Sequence, residues 1–216
     1  KVTLGAGDDI VTLATGTTAL AAVIDGGAGI DTLAMVVADA NTVSGAGTSA
    51  FENKISGFEK LSLTATAATA AIDLSLFDDI DYVISAGTGA FALALSNMAN
   101  NGTLELTGDT TVTTGDITVT MKDASGNADT FNIVTKVDTS DITSAGAIKV
   151  ANVETININA IDLSPVNAAG VATIEEASLI VTANLAKTVN VTGNSDVALA
   201  LTGSTLVTLI DGSSMT

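Results

Sequence analysis

The sequence has 216 residues, 24 of them acidic against 7 basic, all lysine, for a net charge of −17. A surface of that sign repels nucleic acid and anionic lipid, which excludes both as partners. Cysteine and histidine are absent, which excludes disulfides, thiolate metal sites, zinc-protease motifs and Ser-His-Asp triads.

Hydrophobic residues make up 47% of the chain but aromatics only 3%. Such a balance, with abundant Thr and Gly, predicts many short strands around thin cores rather than a disordered chain. No run of about 18 apolar residues is present, so no membrane-inserted segment is expected. The sequence reads as a segment of a longer protein.

In chain order, the first feature is Leu4-Gly5-Ala6-Gly7-Asp8-Asp9-Ile10-Val11-Thr12, followed by a predicted strand over 10–13. A closer form of the same pattern follows at Asp25-Gly26-Gly27-Ala28-Gly29-Ile30-Asp31-Thr32-Leu33-Ala34. From Gly26 it fits the nonapeptide G-G-x-G-x-D-x-U-x at every defined position, where U is a large apolar residue. Paired glycines let the backbone turn sharply and present its carbonyls. Those carbonyls and an Asp carboxylate are the hard oxygen ligands that calcium prefers. Gly5, Gly7, Asp8, Asp9, Asp25, Gly27, Gly29 and Asp31 are therefore the candidate calcium-ligating residues. The two copies lie 22 residues apart, against about 18 in an unbroken array, so residues 14–22 are expected to bulge out. A strand is predicted over 32–37 and a small-residue linker over 38–54.

Ile55-Ser56-Gly57-Phe58-Glu59-Lys60-Leu61-Ser62-Leu63 recurs in form as Val150-Ala151-Asn152-Val153-Glu154-Thr155-Ile156-Asn157-Ile158. Gly57 and Asn152 share a turn position that suits left-handed backbone. Glu59 and Glu154 read as turn caps or acceptors of backbone hydrogen bonds, with a calcium-binding role as the alternative. Asp31-Thr32-Leu33 has an echo in Asp129-Thr130-Phe131, Ala71–Ser75 in Ala160–Ser164, and Leu104–Gly108 in Val189–Gly193. Four landmarks in one order argue for internal duplication. The expected regions are 1–36, carrying the nonapeptides, and two β repeat units, 37–124 and 125–216. In the second unit the nonapeptide has decayed to Ser125-Gly126-Asn127-Ala128-Asp129, where Asn127 and Asp129 remain candidate ligands.

Further strands are predicted over 116–123 and 197–202, with turns at Gly108-Asp109, Gly115-Asp116 and Gly126-Asn127. Glu175–Leu179 could open a helix, but Ile180-Val181-Thr182 favours strand. The acidic run Asp78-Asp79-Ile80-Asp81 reads as solvent-exposed, with a bound calcium as the alternative. The fold expected is all-β: a parallel β-roll or β-solenoid merging into sheet layers. No spacing of carboxylates singles out a glycosidase pair, and the expectation is a protein without enzymatic activity.

The nonapeptides resemble those of RTX proteins, secreted calcium-loaded bacterial proteins, and the chain as a whole is most similar to surface-layer proteins of the Caulobacter type. That resemblance implies Ca2+ as cofactor, type I secretion, an extracellular place on the bacterial cell surface, and self-association into a lattice, with the anchoring partner outside this segment. RTX adhesins, and the calcium-binding tail of a secreted enzyme, remain as alternatives.

Overall fold

In the structure, a computed structural model, the described residues are 1–47, 49–64, 67–78, 80–107, 112–113, 115–164 and 174–216. In chain order the strands are β1 (Val2–Thr3), β2 (Ile10–Thr12), β3 (Ile24–Asp25), β4 (Thr32–Met35), β5 (Ile55–Ser56), β6 (Lys60–Leu63), β7 (Ala70–Asp73), β8 (Tyr82–Ser85), β9 (Leu93–Met98), β10 (Thr103–Thr107), β11 (Val112–Thr113), β12 (Ile117–Met121), β13 (Thr130–Val137), β14 (Ile142–Val150), β15 (Thr155–Asp162), β16 (Glu176–Thr182), β17 (Thr188–Gly193), β18 (Asp196–Leu201) and β19 (Leu209–Met215). The α-helix α1 (Val37–Gly45) and 3₁₀ turns at Glu52–Lys54 and Leu74–Leu76 complete the described elements. The molecule is all-β, and its sheets are parallel.

A nine-stranded sheet runs in the order β19-β17-β15-β13-β10-β8-β6-β4-β2, and a second sheet in the order β18-β16-β14-β12-β9-β7 with β11 beside β14. A small third sheet is β1-β3-β5. The chain alternates between the small sheet and the large one up to β6, then between the two larger sheets. Each return to the nine-stranded sheet adds one level. That sheet crosses both expected region boundaries, through the β4–β6 and β10–β13 pairs.

Period-two patterning sets what faces inward. Leu33, Leu61, Val83, Leu104, Ile133 and Ile158 are register partners from level to level, and each is fully buried. Ile72, Leu95, Val119 and Val150 form a matching buried row in the second sheet. On the outer side of the large sheet Asn132, Asn157 and Asn190 form a ladder. The Asn157 amide donates to Asn132 Oδ1 at 2.9 Å, and the Asn190 amide to Asn157 Oδ1 at 2.8 Å.

The region expected to be a linker holds α1 instead. Val37, Ala40 and Val43, spaced by three, bury one helical stripe. The helix has a task that only the tertiary structure reveals. Strand β7 is the edge of its sheet, and α1 covers it: Ala71 N–H donates to Asn41 Oδ1 at 2.7 Å and Asp73 N–H to Ser44 Oγ at 3.0 Å. Open edge donors are thereby satisfied without a neighbouring strand. Asp39, on the same helix, accepts from Gly16 N–H at 2.7 Å, which pins the segment between β2 and β3 that the nonapeptide spacing predicts to bulge. Glu175–Leu179 is not helical; β16 begins at Glu176. Thr48 of the expected linker, Asp79 of the acidic run, and Gly108 and Asp109 of an expected turn lie outside the described residues.

Candidate metal centre

The two nonapeptide turns sit one directly on the other. Ile10 pairs with Thr32 and Val2 with Ile24, both 22 positions apart. Between those strands Ala6 bridges Ala28, and Ala28 N–H donates to the Gly5 carbonyl at 3.1 Å. Gly27 and Gly29 have φ of 105° and 141°, and a Cβ on either would collide with the carbonyl of Gly5 or Gly7 in the turn beneath. Glycine is required there by both conformation and proximity.

The carboxylates divide into three roles. Asp8 Oδ1 accepts from Ile30 N–H at 2.9 Å, tying one turn to the next from the exposed side. Asp25 pairs with Lys1 at 3.0 Å, and the Lys1 ammonium holds its carboxyl below the usual range. Asp31 is fully buried. Its Oδ1 accepts from Asp9 N–H at 2.8 Å, while its Oδ2 is enclosed and has no hydrogen-bond partner. Asp9 itself is half-buried, and its carbonyl accepts from Thr32 N–H at 2.8 Å.

A third level closes the site from above. Asp31 N–H donates to Glu59 Oε2 at 2.7 Å, and the Asp31 carbonyl accepts from Glu59 and Lys60 N–H at 3.1 and 3.0 Å. Gly57, at φ 67°, carries the turn. Gly26 lies under the Gly57 carbonyl and against Asp31 Oδ2, where a Cβ would stand 2.7 Å from that oxygen. Gly5, Gly7, Gly27 and Gly29 are exposed along the turn edge. The result is a carboxylate with one free buried oxygen and the Gly57 carbonyl close to the same point, hard oxygen donors of the kind a divalent cation such as calcium takes.

The same arrangement recurs around Asp129. Its N–H donates to Glu154 Oε2 at 2.9 Å, and its carbonyl accepts from Glu154 and Thr155 N–H, both at 3.0 Å. Asn152, at φ 59°, occupies the position that Gly57 has before Glu59. Both glutamates thus accept backbone hydrogen bonds, as their recurrence in the sequence suggests. Asn127 sits exposed at a bend. Among the described residues no group of three or more Asp, Glu, His or Cys converges as a metal cluster, so any ion here relies on backbone carbonyls as well.

Another repeated sequence feature has a local cause. Asp73 and Asp162 each accept the N–H of the serine two residues on, at 3.0 and 2.7 Å. Asp123 with Ser125 and Asp211 with Ser213 do the same, both at 2.9 Å. These Asp-x-Ser turns are side-chain mimics of a backbone turn. Burial raises the Asp73 and Asp162 carboxyls, but hydrogen bonds from Ser75 and Asn97 to the first, and from Ser164 and the Glu175 backbone to the second, together outweigh it and leave both below the usual range. Asp73 lies in β7 and Asp162 in β15, on different sheets.

No family model matches the chain, and no curated protein matches it in sequence.

Proposed function

We propose that the chain is a calcium-stabilised structural segment of a bacterial surface protein, an RTX-type β-solenoid that assembles with copies of itself into a surface layer. One observation carries the reading: two nonapeptide turns lie in register, and a buried carboxylate oxygen between them has no partner. Asp31 and Asp9, with the carbonyls of Gly5, Gly7, Gly27 and Gly29, would hold the ion. Calcium there supplies positive charge to an enclosed anion and ties consecutive levels together. The alternation of the chain between parallel sheets supports the solenoid part of the reading. The function is load-bearing and carries no catalytic step.

The proposed mechanism is linkage. A net charge of −17 opposes compaction, and an ion bound by the folded form alone shifts the balance towards it by mass action. In a calcium-poor cytoplasm the turns would stay open and the chain exportable; outside the cell they would close, and contacts between copies would follow.

A second reading, an RTX adhesin, draws on the outer face of the nine-stranded sheet. A groove of about 580 Å³ lies there, lined by Tyr82, Asn132, Asn157, Asn190 and Asp211, a polar surface on which a ligand could rest. Calcium titration followed together by circular dichroism and light scattering separates the readings. Strand signal that rises with calcium, accompanied by growing scatter, is the result expected of a lattice protein. Strand signal without scatter favours the adhesin. A chain equally folded in chelator and in calcium removes the basis of both.

A further inference from the structure

We infer that Asp129 and Glu154 hold a second divalent cation, at a level of the stack where the glycine-rich nonapeptide has disappeared. The inference shares with the proposed function the premise that an enclosed carboxylate oxygen is completed by an ion. It concerns different residues and stands or falls separately.

Among the described residues three buried side-chain polar atoms lack a hydrogen-bond partner: Asp31 Oδ2, Asp129 Oδ2 and Thr135 Oγ1. Two of the three are carboxylate oxygens, and those two aspartates sit in the same backbone frame. Each aspartate donates its N–H to a glutamate Oε2 of the next level and receives two N–H groups on its carbonyl from that glutamate and its successor. Each glutamate follows, by two positions, a residue with left-handed backbone. Each aspartate carboxylate also lies against a glycine, Gly26 or Gly126, where a Cβ would crowd it. Polar groups taken out of water normally find partners, so an unpartnered carboxylate oxygen that recurs in one backbone frame points to one cause.

Charge says what the missing partner is. Asp129 is 7% exposed and Glu154 8%. Glu154 Oε2 sits on the Asp129 N–H, so two buried carboxylates lie on adjoining levels, and an enclosed anionic oxygen without a partner calls for a cation. Lys1, Lys136 and Lys149 are engaged elsewhere, with Asp25, Glu105 and Asp116. A hard divalent ion of calcium's class, taking carboxylate and carbonyl oxygens, supplies the positive partner that Asp129 Oδ2 finds in no described side chain. Asn127, the companion suggested by sequence, is exposed at its bend; the second carboxylate arrives from 25 residues away, at Glu154.

Calorimetric titration of the whole chain with calcium chloride tests this, together with thermal melts in chelator. Asp129→Asn is expected to bind one calcium ion fewer than the wild-type chain. Glu154→Gln keeps an acceptor for Asp129 N–H and is expected to weaken that ion at least tenfold. In chelator Asp129→Asn is expected to melt no lower than wild type, because it removes an enclosed, unpaired charge. Unchanged calcium stoichiometry and affinity in both variants would overturn the inference. So would an Asp129→Asn chain that melts lower in chelator with its calcium response intact, since hydrogen bonding alone would then explain the pair. Asp31→Asn separates the two ideas: full stoichiometry in that variant with a loss in Asp129→Asn would remove the nonapeptide reading and leave this one standing.

Discussion

Calcium at a hundred times its dissociation constant is expected to add about 2.7 kcal/mol to the unfolding free energy for each ion that only the folded chain binds. Asp31→Asn is expected to abolish that increment at its own site. Asparagine keeps the shape of the side chain and an oxygen for Asp9 N–H, but it lacks the charge that an ion requires. In chelator the sign reverses. Wild type then encloses an anionic oxygen without a partner, a burden of about 1–3 kcal/mol for an unsatisfied buried group, and the variant sheds part of it. The two denaturation curves should therefore cross over: variant ahead in chelator, wild type ahead in calcium. Urea titrations under both conditions measure this. Equal calcium increments in the two chains would mean that Asp31 is an ordinary turn residue.

The second large effect is expected in the core beneath α1. Aromatic residues are scarce, yet Phe51 and Phe77 meet with ring centroids 5.8 Å apart, and both are buried. Phe51 follows the helix that covers β7, and Phe77 follows the 3₁₀ turn that leaves β7. Their contact fastens the cap to the sheet edge. Phe77→Ala is expected to cost about 3–5 kcal/mol through lost burial and the cavity left behind. Phe77→Leu, which refills most of the space, is expected to cost less. The urea midpoint should fall with little change in slope. A loss below about 1 kcal/mol for the alanine variant would show that the edge cap is not fastened there, and that the site collapses freely.

Local features of this fold were legible in the sequence, and long-range ones were not. The glycine turns, the alternating strands and the left-handed positions at Gly57 and Asn152 depend on residues within a few positions of one another, and the structure has them where the pattern puts them. The partnership of Asp31 with Glu59 spans 28 residues, and no local pattern announces it. Helix α1 hides for a related reason. Its stripe of Val37, Ala40 and Val43 is short and small, and its purpose depends on β7, which is an edge only once the sheets are assembled. The recurrence of Ala-Ile-Asp-Leu-Ser shows the opposite hazard: Asp73 and Asp162 share a turn chemistry that any Asp-x-Ser can make, and their strands belong to different sheets. Likeness of sequence there reflects a common turn rather than a common place in the fold.

The order of the nine-stranded sheet has a mechanical consequence. Strands β2 and β19 are its opposite edges, so the two ends of the chain emerge at opposite ends of the ladder. Tension between them pulls levels apart one after another, across the strands, as a zip fastener opens tooth by tooth. Thr155 lies beside Thr188 and Thr188 beside Leu209, so successive levels hold 33 and 21 residues. At about 3.3–3.6 Å of reach per residue, each level freed lengthens the chain by roughly 70–120 Å. Optical-tweezer extension should show a staircase of steps in that range; one undivided rip would mean that the levels yield as a block. A protein built this way absorbs strain in instalments, giving length before it gives up its fold.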